Sequence, residues 1–188
     1  MWDADGHRTL DTVARAAGVI AEKAGFTLPA GKSFIIVKED QIGKTHRFSG
    51  EKLSPVLAIF RYSGFDTVLA MVSDILEVGG KGHSVGIASF DDGHIHRLAS
   101  TAPVSRIMVR QPNVRGNAGA FNNGMPQTAS LGCGTWGGNI TSENISVKHY
   151  MNTTWVSRPI PEDKPDEREL LGEFYDSETF DPEPALKP

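Results

Sequence analysis

The side chains with most chemical potential are one cysteine, two histidine-bearing turns and one carboxylate ahead of a strand. Cys133 lies inside Gly132-Cys-Gly-Thr-Trp-Gly137 and is the only thiol in the chain. A working cysteine needs a base or a helix N-terminus to hold it as thiolate. His149 is a candidate partner that spacing alone does not place beside it, and the alternative is a small packed residue. The same six residues match GxGxxG, but a dinucleotide fingerprint needs a strand before it, a helix after it and an acid about twenty residues on. No clear strand precedes it and Asn139-Ile-Thr does not open an apolar helix, so the glycines read as permitting a tight, close-packed loop. His83 follows Gly80-Lys-Gly82 between a predicted helix end and a strand start. There it can donate to a ligand or exchange a proton with it, or simply bond to backbone. Glu51 stands before Lys52-Leu-Ser-Pro55 and the strand that follows. It can accept from sugar hydroxyls, or be a solvated loop acid. His94 and His96, beside Asp91 and Asp92, offer either a metal pair or a solvated turn, and no metal site is assigned.

These residues must be positioned by elements that the pattern makes legible. Leu10, Val13, Ala14, Ala17, Ile20, Ala21 and Ala24 recur at helical spacing, with Thr9 ahead and Gly25 just beyond, which predicts an amphipathic helix. Phe34–Val37 and Val56–Tyr62 are β-branched or aromatic runs and predict strands. Phe65, Val68, Leu69, Val72, Ile75 and Leu76 form a second helical stripe, preceded by Ser63 and stopped by Gly79-Gly80. Val85–Phe90 predicts a strand, Asp91-Asp92-Gly93 a turn, His94–Ser100 a short helix and Arg106–Arg110 another strand. The alternation implies an α/β fold with parallel βαβ units. From Gly116 to Gly138 the chain is rich in Gly and Asn without a period, and long ordered loops of this kind are usually functional. A short polar helix is predicted over Ser142–Tyr150 and a Thr-rich strand over Asn152–Val156.

Composition narrows the function classes. At 188 residues the chain has room for one domain with a real core. No apolar run approaches the ~20 residues of a membrane span, and no charged segment followed by an apolar one opens the chain, so neither a membrane protein nor a secretory leader is expected. A cytoplasmic location is. A single cysteine excludes an intrachain disulfide and a multi-cysteine zinc site. The sequons at Asn139, Asn144 and Asn152 then read as chance matches. Residues 159–188 carry ten acidic and three basic side chains and six prolines, which predicts an extended or disordered tail. The rest has a surplus of only three positive charges, too few and too scattered for a nucleic-acid surface.

Two longer blocks carry a resemblance. Glu51-Lys-Leu-Ser-Pro-Val-Leu-Ala58, followed by the helix and Gly79-Gly-Lys-Gly-His-Ser84, resembles the aldehyde dehydrogenase superfamily. Specifically it is similar to the branch that acylates coenzyme A, which includes the dehydrogenase half of bifunctional aldehyde–alcohol dehydrogenases. Leu131–Asn139 with Ser142-Glu-Asn144 and Lys148-His149 is a second block of that branch, and Phe121-Asn-Asn-Gly-Met-Pro126 is similar to its sulfoacetaldehyde-type subgroup. Arg110 and Arg115 depart from the smaller or uncharged residues expected there.

The resemblance, which runs from about Asp5 to Arg158, implies an open, twisted, mostly parallel sheet with flanking helices. It further implies that residues 1–151 are the C-terminal catalytic-domain portion of such an enzyme. Residues 152–158 would be a C-terminal oligomerisation strand and 159–188 an acidic Pro-rich tail. Intact members use NAD or NADP and coenzyme A; this chain is expected to hold neither tightly. Glu51 matches the acid on the nicotinamide ribose hydroxyls and His83 an auxiliary histidine near the active site. Cys133 does not match the nucleophile, which belongs to a region earlier than this match and is expected to be absent here. The expectation is therefore a portion inactive alone unless a separately encoded N-terminal half completes it. The alternative is a non-catalytic truncated or split-gene module that self-associates. A homodimer through Thr153–Ser157 is expected in either case.

Overall fold

The computed structural model describes residues 1–175. The chain divides into two units, Met1–Met151 and Asn152–Pro188.

In the first unit the β-branched runs form four short strands: β1 (Ile35–Glu39), β2 (Val56–Phe60), β3 (Val85–Ile87) and β4 (Ile107–Val109). They associate as two separate parallel pairs, β1 with β2 and β3 with β4. The α/β class and the parallel sense are as the pattern implies. The hydrogen bonding, however, makes two two-stranded pieces instead of one sheet. Between β2 and β3 runs α2 (Phe65–Gly79), ended by Gly80 at φ +102°, and between β3 and β4 runs α3 (Asp92–Thr101). The core is where these helices meet the second pair: Leu98, Ala102 and Val104 are buried, with Phe65, Leu69 and Val72 of α2 against them.

Pleating gives the first pair two unequal faces. Ile35, Val37 and Val56 line an apolar cleft with Ile20 of α1 (Ala17–Lys23). On the opposite face Ile36, Leu57 and Ile59 stay about half exposed.

Several expectations are corrected. The first helix covers only Ala17–Lys23, because Ala14 sits at φ +53° with its N–H on the Leu53 carbonyl (2.8 Å), and that conformation breaks a right-handed helix. Leu10 is accordingly exposed. The Asp91-Asp92 turn is the N-cap of α3: the Asp91 carboxylate accepts from the N–H groups of Gly93 (2.8 Å) and His94 (3.3 Å). The start of the Gly/Asn-rich stretch is helical, in α4 (Asn113–Asn117), and the polar helix over 142–150 shrinks to a 3-10 turn at Val147–Tyr150.

In the second unit Asn152–Val156 pairs with no strand among the described residues. The part of the acidic tail that is described is not uniformly extended. Asp166 caps a short helix, α5 (Glu167–Leu171). Residues 176–188 of the tail lie outside the described residues. Among those described, no helix is long and apolar enough to cross a membrane.

Candidate active-site cleft

Glu51 is presented by a loop that two cations tie down. The Lys52 ammonium donates to the carbonyls of Phe48 (2.7 Å) and Gly50 (2.6 Å), while Arg8 donates to the Lys52 carbonyl. Burial pulls the Lys52 pKa down from its ordinary value. The loop is thus pinned on both sides of Glu51, whose exposed carboxylate makes no hydrogen bond among the described residues. Both oxygens are free to accept, which suits a vicinal diol.

His83 opens onto the same cleft, of about 760 Å³, that Glu51 lines. Its Nδ1 lies 2.7 Å from the Ser84 hydroxyl. That hydroxyl already accepts from the side-chain amides of Asn113 (3.2 Å) and Asn117 (2.7 Å). A serine oxygen has two lone pairs and one hydrogen, so the hydrogen goes to Nδ1. Neutral His83 is thereby fixed as the tautomer carrying its hydrogen on Nε2, the donor it can offer to the cleft.

Behind His83 stands Arg106, which is 4% exposed. Its guanidinium meets no carboxylate among the described residues. Nε donates to Asn144 Oδ1 (2.9 Å), one terminal nitrogen to the Gly132 carbonyl (2.8 Å), and the other to the Ser142 carbonyl (3.1 Å). The Asn144 amide in turn donates to the carbonyls of Asn117 (3.0 Å) and Pro126 (2.6 Å). One network therefore joins the residue that leads into β4, the Asn-rich helix α4 and both ends of the Gly132–Ser142 loop. Burial lowers the Arg106 pKa from its ordinary value. Asn144, the middle sequon, is 5% exposed and committed to this network, which leaves no room for a glycan.

The glycines show why the two motif blocks occur together. Gly82 is at φ +95°, and a Cβ built there would lie 2.3 Å from the Cys133 carbonyl oxygen and 2.7 Å from the Gly137 nitrogen. The Gly-Lys-Gly-His turn and the Gly-Cys-Gly loop are in backbone contact at that point. Cys133 is a packing residue here: half-buried, its N–H on Asn139 Oδ1 (2.8 Å) and its Cβ against Gly82 and Gly137. His149 is engaged elsewhere, with Nδ1 accepting from the Ser146 N–H (2.9 Å) and Nε2 3.5 Å from Glu143. His94 stacks on Phe65 with ring centroids 3.9 Å apart, so it packs instead of pairing with His96 around a metal.

Glu51 and His83, singled out separately in the sequence, are thus brought to one cleft, and Cys133 packs against the turn beside it. Ser84, Asn117, Asn144 and Arg106 were not singled out. The available signal was Arg106 itself, a lone cation between Val104-Ser105 and the apolar Ile107-Met-Val109, where a strand next to a core ordinarily has none.

A free carboxylate and an oriented imidazole thus line one cleft on a parallel α/β scaffold. The chain matches no family model. The sulfoacetaldehyde dehydrogenase of an Acholeplasma species is 41% identical over 178 residues, which is 93% of this chain and 37% of that protein. The acylating sulfoacetaldehyde dehydrogenase of Bilophila wadsworthia is 37% identical over 165 residues, 88% of this chain and 36% of that one. The crystal structure of an acetylating aldehyde dehydrogenase from Geobacillus thermoglucosidasius superposes with a TM-score of 0.71 at 36% identity, over 80% of this chain and 34% of that one. The chain is a homologue of the acylating aldehyde dehydrogenases and spans about a third of the length of these relatives.

The Gly82 contact makes a direct prediction. Gly82→Ala combines a positive φ with a backbone clash and should cost more than the ~1 kcal/mol of a simple glycine-to-alanine misfit. Urea unfolding of the two proteins checks it, and an unchanged midpoint would remove the close approach from the account.

Proposed function

We propose that this chain is the C-terminal catalytic-domain portion of an NAD(P)-dependent, coenzyme A-acylating aldehyde dehydrogenase that converts an aldehyde to an acyl-CoA. The observation that carries the reading is that Glu51 and His83, from different sequence blocks, open onto one cleft. Identity to acylating relatives of 41% and 37%, over 93% and 88% of the chain, supports it. NAD(P) bound here would supply the hydride acceptor for oxidation of the aldehyde. In this chain Glu51 fits its nicotinamide ribose, because the carboxylate is exposed and unpaired. Lys52 keeps that carboxylate in place, and the Ser84-set tautomer gives His83 an Nε2–H to orient a carbonyl or hydroxyl at the cleft. The thiolate nucleophile and the dinucleotide domain are assigned to the part of the relatives' length outside the matched third. Without them the chain does not turn over aldehyde. The setting is cytoplasmic, in keeping with a single free cysteine.

The test is an NAD(P)-linked assay with coenzyme A and sulfoacetaldehyde or acetaldehyde, on the chain alone and co-expressed with the missing part of a relative. The expected outcome is no turnover alone and turnover in the pair. In the pair, Glu51→Gln should weaken cofactor use by about 1.5–3 kcal/mol, the range of a hydrogen bond to a charged group. Unchanged cofactor KM and kcat in that variant would withdraw the Glu51 assignment.

Trp155 and Val156 support a second element of the proposal. Both are strongly exposed in a Thr-rich segment without a strand partner among the described residues. A β-branched segment with an aromatic anchor suits strand addition to another copy, so the chain should form a two-fold dimer through Thr153–Ser157. Light scattering on the full chain should give a dimer, and a version ending at Met151 a monomer. A monomeric full chain, or a dimer indifferent to the truncation, would contradict this.

A further inference from the structure

Arg106 has a donor left over. A guanidinium carries five N–H groups. Nε gives its hydrogen to Asn144 Oδ1 (2.9 Å), and Nη1 gives its pair to the carbonyls of Gly132 (2.8 Å) and His83 (3.5 Å). Nη2 gives one to the Ser142 carbonyl (3.1 Å) and has no acceptor for the other among the described residues. The charge is unmatched as well. Every one of these acceptors is neutral, although Arg106 is only 4% exposed and a charge so far from water ordinarily has an opposite partner.

The guanidinium lines another cleft, of about 470 Å³, which shares no lining residue with the cleft of Glu51 and His83. Ser105 lines it too, and the Ser105 hydroxyl is closed to solvent without a partner among the described residues. Two further charges face this cleft, Glu143 and Lys148. They are paired with each other, and His149 Nε2 lies 3.5 Å from the same Glu143 carboxylate. The pair cancels, so the cleft has one uncompensated positive charge, that of Arg106. Met125 and Pro126 supply an apolar wall.

We propose that this cleft binds a small organic monoanion, a carboxylate or a sulfonate, at the free Nη2 hydrogen of Arg106. A charge-assisted bond to an anionic oxygen is the strongest use of that hydrogen. Lys148, on a side chain 64% exposed, is free to turn from Glu143 to a second oxygen. Met125 and Pro126 give the ligand's carbon stem a dry surface. The single unmatched charge selects a monoanion, because a dianion would place an uncompensated negative charge beside Glu143. The inference stands apart from the proposed function, since none of these residues lines the Glu51 and His83 cleft. It does bear on that cleft: the guanidinium that holds the anion also holds the His83 and Gly132 carbonyls.

The experiment titrates the full chain with sodium acetate and with sodium methanesulfonate. Sodium chloride at matched ionic strength is the control, and NMR follows the Arg106 side-chain N–H resonances. The expected result is a saturable shift of those resonances with the organic anions and none with chloride. A response to only one of the two supports the site and identifies its anion. Glu143→Gln removes the competing carboxylate and frees Lys148, so it should tighten binding about threefold, the scale of an exposed ion pair. Lys148→Met should weaken it by about the same factor. Both side chains are more than half exposed, so the fold is kept. Opposite changes at two residues that touch each other are not what loss of a structural contact produces, since either substitution breaks the same ion pair. A shift that never saturates, an equal response to chloride, changes of the same sign in the two variants, or tighter binding of inorganic phosphate would each overturn the proposal.

Discussion

A buried guanidinium that meets no carboxylate among the described residues is the constraint around which the second half of the first unit is arranged. Moving a charge out of water costs several kcal/mol unless its donors are met. Arg106 meets that cost with the carbonyls of Gly132 and Ser142 and the Asn144 side chain. The acceptors come from both ends of a loop whose regular structure is one 3-10 turn, Thr135–Gly137. A lysine could not replace it: a point charge with three donors lacks the planar fork that reaches all three acceptors at once. The small residues around it follow from the same requirement. With the loop drawn in this far, Gly82 and Gly137 lie against Cys133 at distances that exclude a Cβ.

The Glu51 loop is held by a separate device, Lys52 and Arg8 acting on backbone carbonyls ahead of β2. Two independent cation–carbonyl clamps therefore converge on one cleft. Glu51 enters from the first strand pair and His83 from the second. Ser84 connects His83 to α4, since its hydroxyl is bonded by both Asn113 and Asn117 while it sets the hydrogen of His83. In chemical terms the cleft offers an unpaired acceptor and an oriented donor, a combination suited to holding polar groups.

The sequence revealed local elements where one periodicity dominated. The α2 stripe and the four β-branched runs appear within a few residues of where the pattern places them, because burial of one face suffices to define them. The first helix was over-read. Its apolar spacing continues back to Leu10, but the Ala14 N–H is claimed by the Leu53 carbonyl, a contact 39 positions away that no local pattern carries. The glycines of the Gly132–Gly137 block were legible as a close-packed loop, though not what they pack against. Arg106 and Asn144 were missed for the same reason. Each looks like an ordinary polar residue until the fold buries it, and their partners lie 18 to 38 positions distant.

The claim on which the rest depends is that Arg106 holds the Gly132–Ser142 loop and the His83 turn as one piece. Amide hydrogen exchange on Arg106→Met and Arg106→Lys tests it at three positions: Gly132 and Gly134 in the loop, bonded to the carbonyls of Glu143 and Thr141, and Gly82 in the turn, bonded to that of Pro103. The account predicts that all three lose protection together in both variants, while Ile35 in β1 keeps its own. Loss confined to the loop, or full protection retained with lysine, would contradict it.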